Sequence, residues 1–299
     1  MADGNPGASA RLYVEPGSAP HTFDTSSESY EFLSESIGKR GSILDTNGIR
    51  GTRSHHAAMT RGGPAEVGGS LRMNVTPIML DLWLPRILGS AESNDSFTLA
   101  ETPAADFGLL VDRVEDTEEY TDCRVNRAIF RGSAGGLIEL ELEIFGKTAV
   151  AGTNAPVVAL SVAANNAPYT FSDSTLTLAS SSRQMMNFEV EINNFLDRRF
   201  TNSNAATSLR AQDRLVALRT TNPWNEDTDD LYGQANAGAA GTLVFTNTNL
   251  STTFTFGTLQ VPDSSPNVGG KNEIPLLLEM IARMTGSTRE LVVTSDSVA

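Results

Sequence analysis

The run AGGLIELELEIFGK, residues 134–147, constrains this chain more than any other stretch, because its middle alternates strictly. Ile138, Leu140, Leu142 and Ile144 fall on one side; Glu139, Glu141 and Glu143 fall on the other. Side chains leave a pleated strand to opposite faces with a period of two, so residues 137–145 predict a half-buried strand. Its acidic face is unusual. Three carboxylates about 7 Å apart repel one another, and glutamate is a poor strand former. Taken alone, such a ladder reads most simply as a solvated sheet face. A second run, Asn187–Asn193, repeats the pattern: Phe188, Val190 and Ile192 alternate with Glu189 and Glu191. Two such strands point to a surface that must stay wet and must not hold polyanions.

The rest of the chain reads as a turn-rich β protein in two matching halves. Residues 1–27 form an arm that is loose unless a neighbour holds it. A first domain spans 28–150, a linker 151–168 and a second domain 169–299. In the first half, residues 30–37 predict the opening strand, and 38–66 form a long loop without periodicity. A strand at 67–75 precedes a helix capped by Thr76, begun by Pro77 and stopped by Gly89. Pro85 limits that helix to about two turns. Strands follow at 96–99, 107–114 and 121–131, the last forming a hairpin with 137–145 through the glycines of 132–136. In the second half, 157–162 is an edge strand within the linker. Strands at 174–179, 187–193 and 215–220 flank a second long loop, 194–213. A short helix at 225–235 matches the first one, and strands at 242–246, 252–261, 273–284 and 291–293 close the domain.

Charge is distributed against the grain of the protein. The chain of 299 residues carries a net charge of −14, which argues against ordinary nucleic-acid or anionic-membrane binding. Yet nine of its 22 basic residues lie in the two long loops when Arg214 is included. Lys39, Arg40, Arg50, Arg53 and Arg61 stand in the first loop, and Arg198, Arg199 and Arg210 in the second. Nine acids crowd residues 92–119, against Arg113 alone. Opposite charges on one subunit suit head-to-tail stacking, which propagates into a filament.

Catalytic chemistry has little to stand on. His55 and His56 are adjacent, without metal-ligand spacing. Cys123 lies on a predicted strand without a histidine partner nearby, as a packed thiol would. Asp45-x-Asn47-Gly48 begins like a calcium loop but lacks the remaining ligands. No catalytic residue, cofactor or metal site is expected. No apolar run is long enough to span a bilayer, and no secretory leader is visible.

The runs SESIGKRGSILDTNGIRGTRS (34–54), TPIMLDLWLPRILG (76–89) and TDCRVNRAIFRGSAGGLIELELEIFGK (121–147) resemble the tail tube, or major tail, proteins of long-tailed bacteriophages. PYTF, NFEVEINNFLDRRF and SPNVGG are similar to the same family's distal part. The resemblance implies two tandem β-sandwich or split-barrel domains, each flanked by a short helix, which assemble into rings. Inner strands of a ring would close a β-barrel lumen of about 24 strands. The long loops, with their eight named basic residues, would reach the next ring. Glu139, Glu141, Glu143, Glu189 and Glu191 would face the lumen. The implied partners are the chain itself, as homotrimeric pseudo-hexameric rings or alternatively homohexamers, a tape measure protein and tail-end proteins. Duplex DNA would pass through without specific binding, and the site of action would be the virion, after assembly in the host cytoplasm. A tube of a bacterial contractile or secretion device and a virion-decorating β-sandwich are the alternatives.

Overall fold

The computed structural model describes residues 7–25, 27–102, 106–152, 166–225, 238–248, 250–261 and 266–296. Five strands come first: β1 (Arg11–Pro16), β2 (Glu28–Ser29), β3 (Ser34–Glu35), β4 (Gly38–Asp45) and β5 (Thr60–Asn74). The helix α1 (Pro77–Leu88) leads to β6 (Ser96–Thr98), β7 (Phe107–Asp112), β8 (Thr117–Ser133), β9 (Glu139–Gly146) and β10 (Thr148–Ala151). Then come β11 (Ser174–Leu178), β12 (Ser181–Arg183), β13 (Asn187–Asn193), β14 (Leu196–Arg199) and β15 (Ser208–Ala211). The last are β16 (Leu215–Pro223), β17 (Ala239–Asn247), β18 (Leu250–Gln260), β19 (Pro275–Arg283) and β20 (Leu291–Ser295). The fold is mainly β with one α-helix, and no closed barrel forms among the described residues.

Two layers enclose the core. The first is an antiparallel sheet in the order β5-β9-β8-β13-β16-β19. The second runs β12-β11-β17-β18-β20-β6. Alternation decides which face of the first sheet turns inward. Leu140, Leu142 and Ile144 of β9 and Phe188, Val190 and Ile192 of β13 are all buried. Aromatic rings bind the layers: Phe130 meets Phe254 edge-on with centroids 5.1 Å apart, and Phe188 stacks on Phe245 at 5.5 Å. The layers join at a corner, where Thr258–Gln260 pairs with Ile281–Arg283. A third group, β2-β1-β7-β8-β10, grows from the first half of β8.

The helix shows its sequence signals at both ends. Thr76 accepts the Met79 N–H, and Gly89 closes the last turn at φ 89° with its N–H on the Pro85 carbonyl. It nevertheless runs twelve residues, a turn beyond the expectation from Pro85. A proline removes one hydrogen bond, but Leu84, Ile87 and Leu88 are buried around it, and the Arg86 guanidinium bonds the Leu82 carbonyl. Trp83 anchors the buried side edge-on to Phe107, centroids 5.8 Å apart.

Three other expectations change. The segment expected as a loose arm contains β1, which pairs with β7 along its whole length. Residues 30–37 hold only the two-residue β3; the Arg113 guanidinium bonds the Glu35 carboxylate and the Ile37 carbonyl there. Residues 38–66 are not an irregular loop: β4 pairs with the start of β5 from Gly38↔Gly68 to Asp45↔Thr60. From Lys39 to Leu44 every residue is exposed, so neither face is buried and no period-two signature arises. At Gly68 β5 is paired on both edges, with Gly38 of β4 and with Phe145 of β9. The Gly68 φ of 149° and the Ile144 carbonyl, 2.3 Å from where a Cβ would sit, leave room only for glycine. The strand expected at 157–162 lies outside the described residues, as does the helix expected at 225–235 from residue 226 on.

Candidate functional site

The solvent-facing side of the first sheet draws on both halves of the sequence. Strand β8 pairs with β9 on one edge and with β13 on the other, so the two acid-faced strands flank a single neighbour. All five glutamates lie on this face, between inward apolar residues. The sequence reading missed what separates them. Read across the strands, one row is Glu139, Arg131, Glu189, Arg219, Glu279, alternating in sign over five strands. The next row is Arg72, Glu141, Ile129, Glu191, Ala217. Glu143 lies opposite Arg127 in the third.

Those arginines hold the carboxylates. Arg131 reaches Glu141 at 2.5 Å and Glu189 at 2.8 Å. Arg219 reaches Glu189 at 2.8 Å, Glu191 at 2.6 Å and Glu279 at 2.9 Å. Arg127 bonds Glu191 at 2.6 Å, Arg72 bonds Glu139 at 2.6 Å, and Glu143 accepts from the Asn126 amide at 2.8 Å. The expected repulsion along each strand is therefore relieved between strands, in line with the general benefit of opposite-charge cross-strand pairs. A signal existed: Arg127, Ile129 and Arg131 follow the same period of two as the glutamates.

Burial raises the proton affinity of Glu189 and Glu191, but hydrogen bonds from Arg131, Arg219 and Arg127 outweigh it and hold both below the ordinary 4.5. A carboxylate depressed in the folded state contributes stability above its unfolded value and loses it as pH falls through the lower folded value. Melting temperature is therefore expected to drop as pH falls below 4.5. The double variant Glu189→Gln, Glu191→Gln should show a shallower drop over that window, measured by thermal melts in a pH series.

At one end of this sheet the β4–β5 hairpin projects. Its exposed side chains include large aliphatics that the sequence reading passed over: Ile43 at 78%, Leu44 at 57%, Ile49 at 107% and Met59 at 54% exposure. Lys39, Arg40, Arg53 and Arg61 are exposed along the same hairpin. Near its tip Asp45 draws in Arg50, 3.8 Å away, and His55, whose Nδ1 lies at 2.5 Å. The His55 hydrogen bond holds the Asp45 carboxyl below its usual range.

The second basic loop is a smaller hairpin, β14–β15, and it braces the base of the first. The Ala65 N–H donates to the Asn204 carbonyl at 2.7 Å, and the Asn204 amide donates to the Gly62 carbonyl at 3.1 Å. Arg198 lies 3.4 Å over the Phe145 ring, 3.6 Å from Glu66, and donates to the Val67 carbonyl. Burial lowers its proton affinity, opposed by Glu66 and Glu143. Arg199 and Arg210 stay exposed, Arg210 paired in register with Asp197.

The projecting, braced hairpin stands beside a broad charged sheet, and a family model for phage tail tube proteins matches residues 7–282. The chain belongs to the phage tail tube protein family. No curated protein matches the sequence. As a member of a tail tube family the chain is a structural component of the virion tail. Among the described residues no helix is long and apolar enough to cross a membrane, and no group of His, Cys, Asp or Glu is placed to hold a metal. Cys123 is buried in the core, and desolvation pushes its thiol far above the ordinary range, as suits a packing residue.

Proposed function

We propose that this tail tube protein assembles into rings that stack into a hollow conduit for the double-stranded genome, with the wet face of the first sheet lining the bore. The observation that carries this reading is the six-stranded sheet itself: it crosses from one half of the sequence to the other at β8–β13 and carries charged residues on the same face of all six strands. Each half supplies three of its strands, as two tube-type domains in tandem would. Three chains then give a bore of eighteen strands in place of about 24. At about 4.8 Å per strand and a tilt near 40°, its backbone diameter is about 35 Å, wide enough for a duplex. The β4–β5 hairpin reaches the adjacent ring, with exposed aliphatics at its tip and Lys39, Arg40, Arg50, Arg53 and Arg61 around them. Arg199 and Arg210 add contacts from the brace, where Arg198 holds the hairpin's base. A tape measure protein and tail-end proteins are the other partners, and assembly takes place in the host cytoplasm.

Electron microscopy of the purified protein tests this. Hollow stacked tubes with threefold top views are the expected result. Strict sixfold equivalence would replace the trimer by a hexamer, and dispersed monomers at high concentration would refute the conduit.

A further inference from the structure

Four arginines on a surface meant to pass DNA require an explanation, since guanidinium is the side chain best shaped for phosphate. Arg72, Arg127, Arg131 and Arg219 are between 35% and 46% exposed, so solvent reaches all four. Part of each guanidinium, however, is turned along the sheet into carboxylates: Nε and Nη1 of Arg131 and of Arg219, Nε of Arg127 and Nη2 of Arg72. Six glutamates (139, 141, 143, 189, 191 and 279) surround the four guanidiniums on this face. Glu191 holds two of them from an almost buried position, its side chain 6% exposed.

We propose that the wet face is a caged duplex-binding surface: its arginines match the phosphodiester backbone, and Glu189 and Glu191 deny them to it. A phosphate taking the Nε and Nη1 donors of Arg219 must displace three carboxylates, and one taking those of Arg131 must displace two. DNA is thus kept off this face by competition at the arginines. The biological meaning rests on reading this face as the bore, but the binding itself needs no assembly.

The test uses the full-length chain and a short duplex labelled for fluorescence anisotropy. The variant Glu189→Gln, Glu191→Gln frees Arg127 and leaves Arg131 and Arg219 one carboxylate each. It should bind the duplex at least about tenfold more tightly than wild type at about 50 mM salt and lose that gain as salt rises, because each phosphate held releases counterions. The control Glu92→Gln, Asp95→Asn removes two charges at exposed loop positions before β6 and should show no gain. A folded double variant without the gain, or an equal gain in the control, overturns the proposal. If the double variant does not fold, Glu279→Gln, at a 63% exposed side chain, is measured instead; a smaller gain supports caging and none overturns it. Microscopy of the same samples separates the two readings. Tubes without the gain sink the caging alone, and the gain without tubes sinks the conduit alone.

Discussion

Replacing Ile43 and Ile49 by aspartate is expected to abolish tube formation while leaving the melting temperature of the subunit within a degree or two. Both side chains are already in water, at 78% and 107% exposure, so the isolated fold loses nothing by making them charged. In a stacked tube the balance reverses. An aliphatic side chain taken fully out of water contributes about 1.5–3 kcal/mol, against about 0–1 kcal/mol for an exposed ion pair. The tip aliphatics therefore outweigh the arginines beside them, and the loss recurs at every ring. Sedimentation and electron microscopy read the assembly, and circular dichroism melts read the fold; normal tubes from the double aspartate variant would exclude the tip as a contact. Charge reversal in the brace behaves differently from one arginine to the next. Arg199→Glu changes an exposed residue and tests stacking cleanly. Arg198→Glu removes the contact with Phe145 and sets a carboxylate near Glu66 and Glu143, so it loosens the hairpin's base as well.

The second large effect is expected from Glu139→Lys, Glu141→Lys and Glu143→Lys together. On the sequence alone this change looks tolerable for folding, since the apolar side of β9 is untouched. The cross-strand rows alter that expectation. A lysine at 139 stands opposite Arg131 and beside Arg72, and one at 141 stands beside the same two arginines. Like charges directly opposite are destabilising, and with the lost pairs the cost is about 1–3 kcal/mol. Thermal melts should fall by several degrees. If the face lines the bore, phage carrying the triple variant should also stall in genome ejection, because freed arginines and new lysines hold phosphates at each ring. Ejection at the wild-type rate from tubes of proven triple-lysine protein would remove these glutamates from the lumen.

What the sequence disclosed was whatever is written within one segment. Strands β9 and β13 declared themselves by alternation, and α1 by Thr76, Pro77 and Gly89. The hairpin from β8 to β9 was legible from its glycines. Distance in the chain hid the rest. Nothing local to β13 says that it pairs with β8, yet that pairing sets Glu189 against Arg131 and makes one face of two. Arg219 lies 30 residues from Glu189 and Glu279 a further 60, so the row of alternating charge exists only once register is fixed. The β4–β5 hairpin was illegible for the opposite reason. A ribbon with both faces in water needs no pattern, and its composition looks like a loop. Among the loop arginines, Arg198 turned onto Phe145, a ring whose place at the top of β9 no spacing in the second half could announce.

Strand β8 belongs to two sheets at once. Its first residues pair with β7 and β10, its last with β9 and β13, and the register slips between Val125 and Arg127 where it passes from one to the other. The Asn126 side chain is held at that slip, accepting from the Leu196 N–H in the brace and donating to Glu143 on the wet face. Mechanically this is a spar running through a bulkhead. The β2-β1-β7-β8-β10 group is thereby joined to the wet face and to the brace by one continuous strand. In a stack of the kind proposed, a rotation imposed on one subunit would be passed to its hairpin contacts through this one strand, so the column is expected to resist twisting.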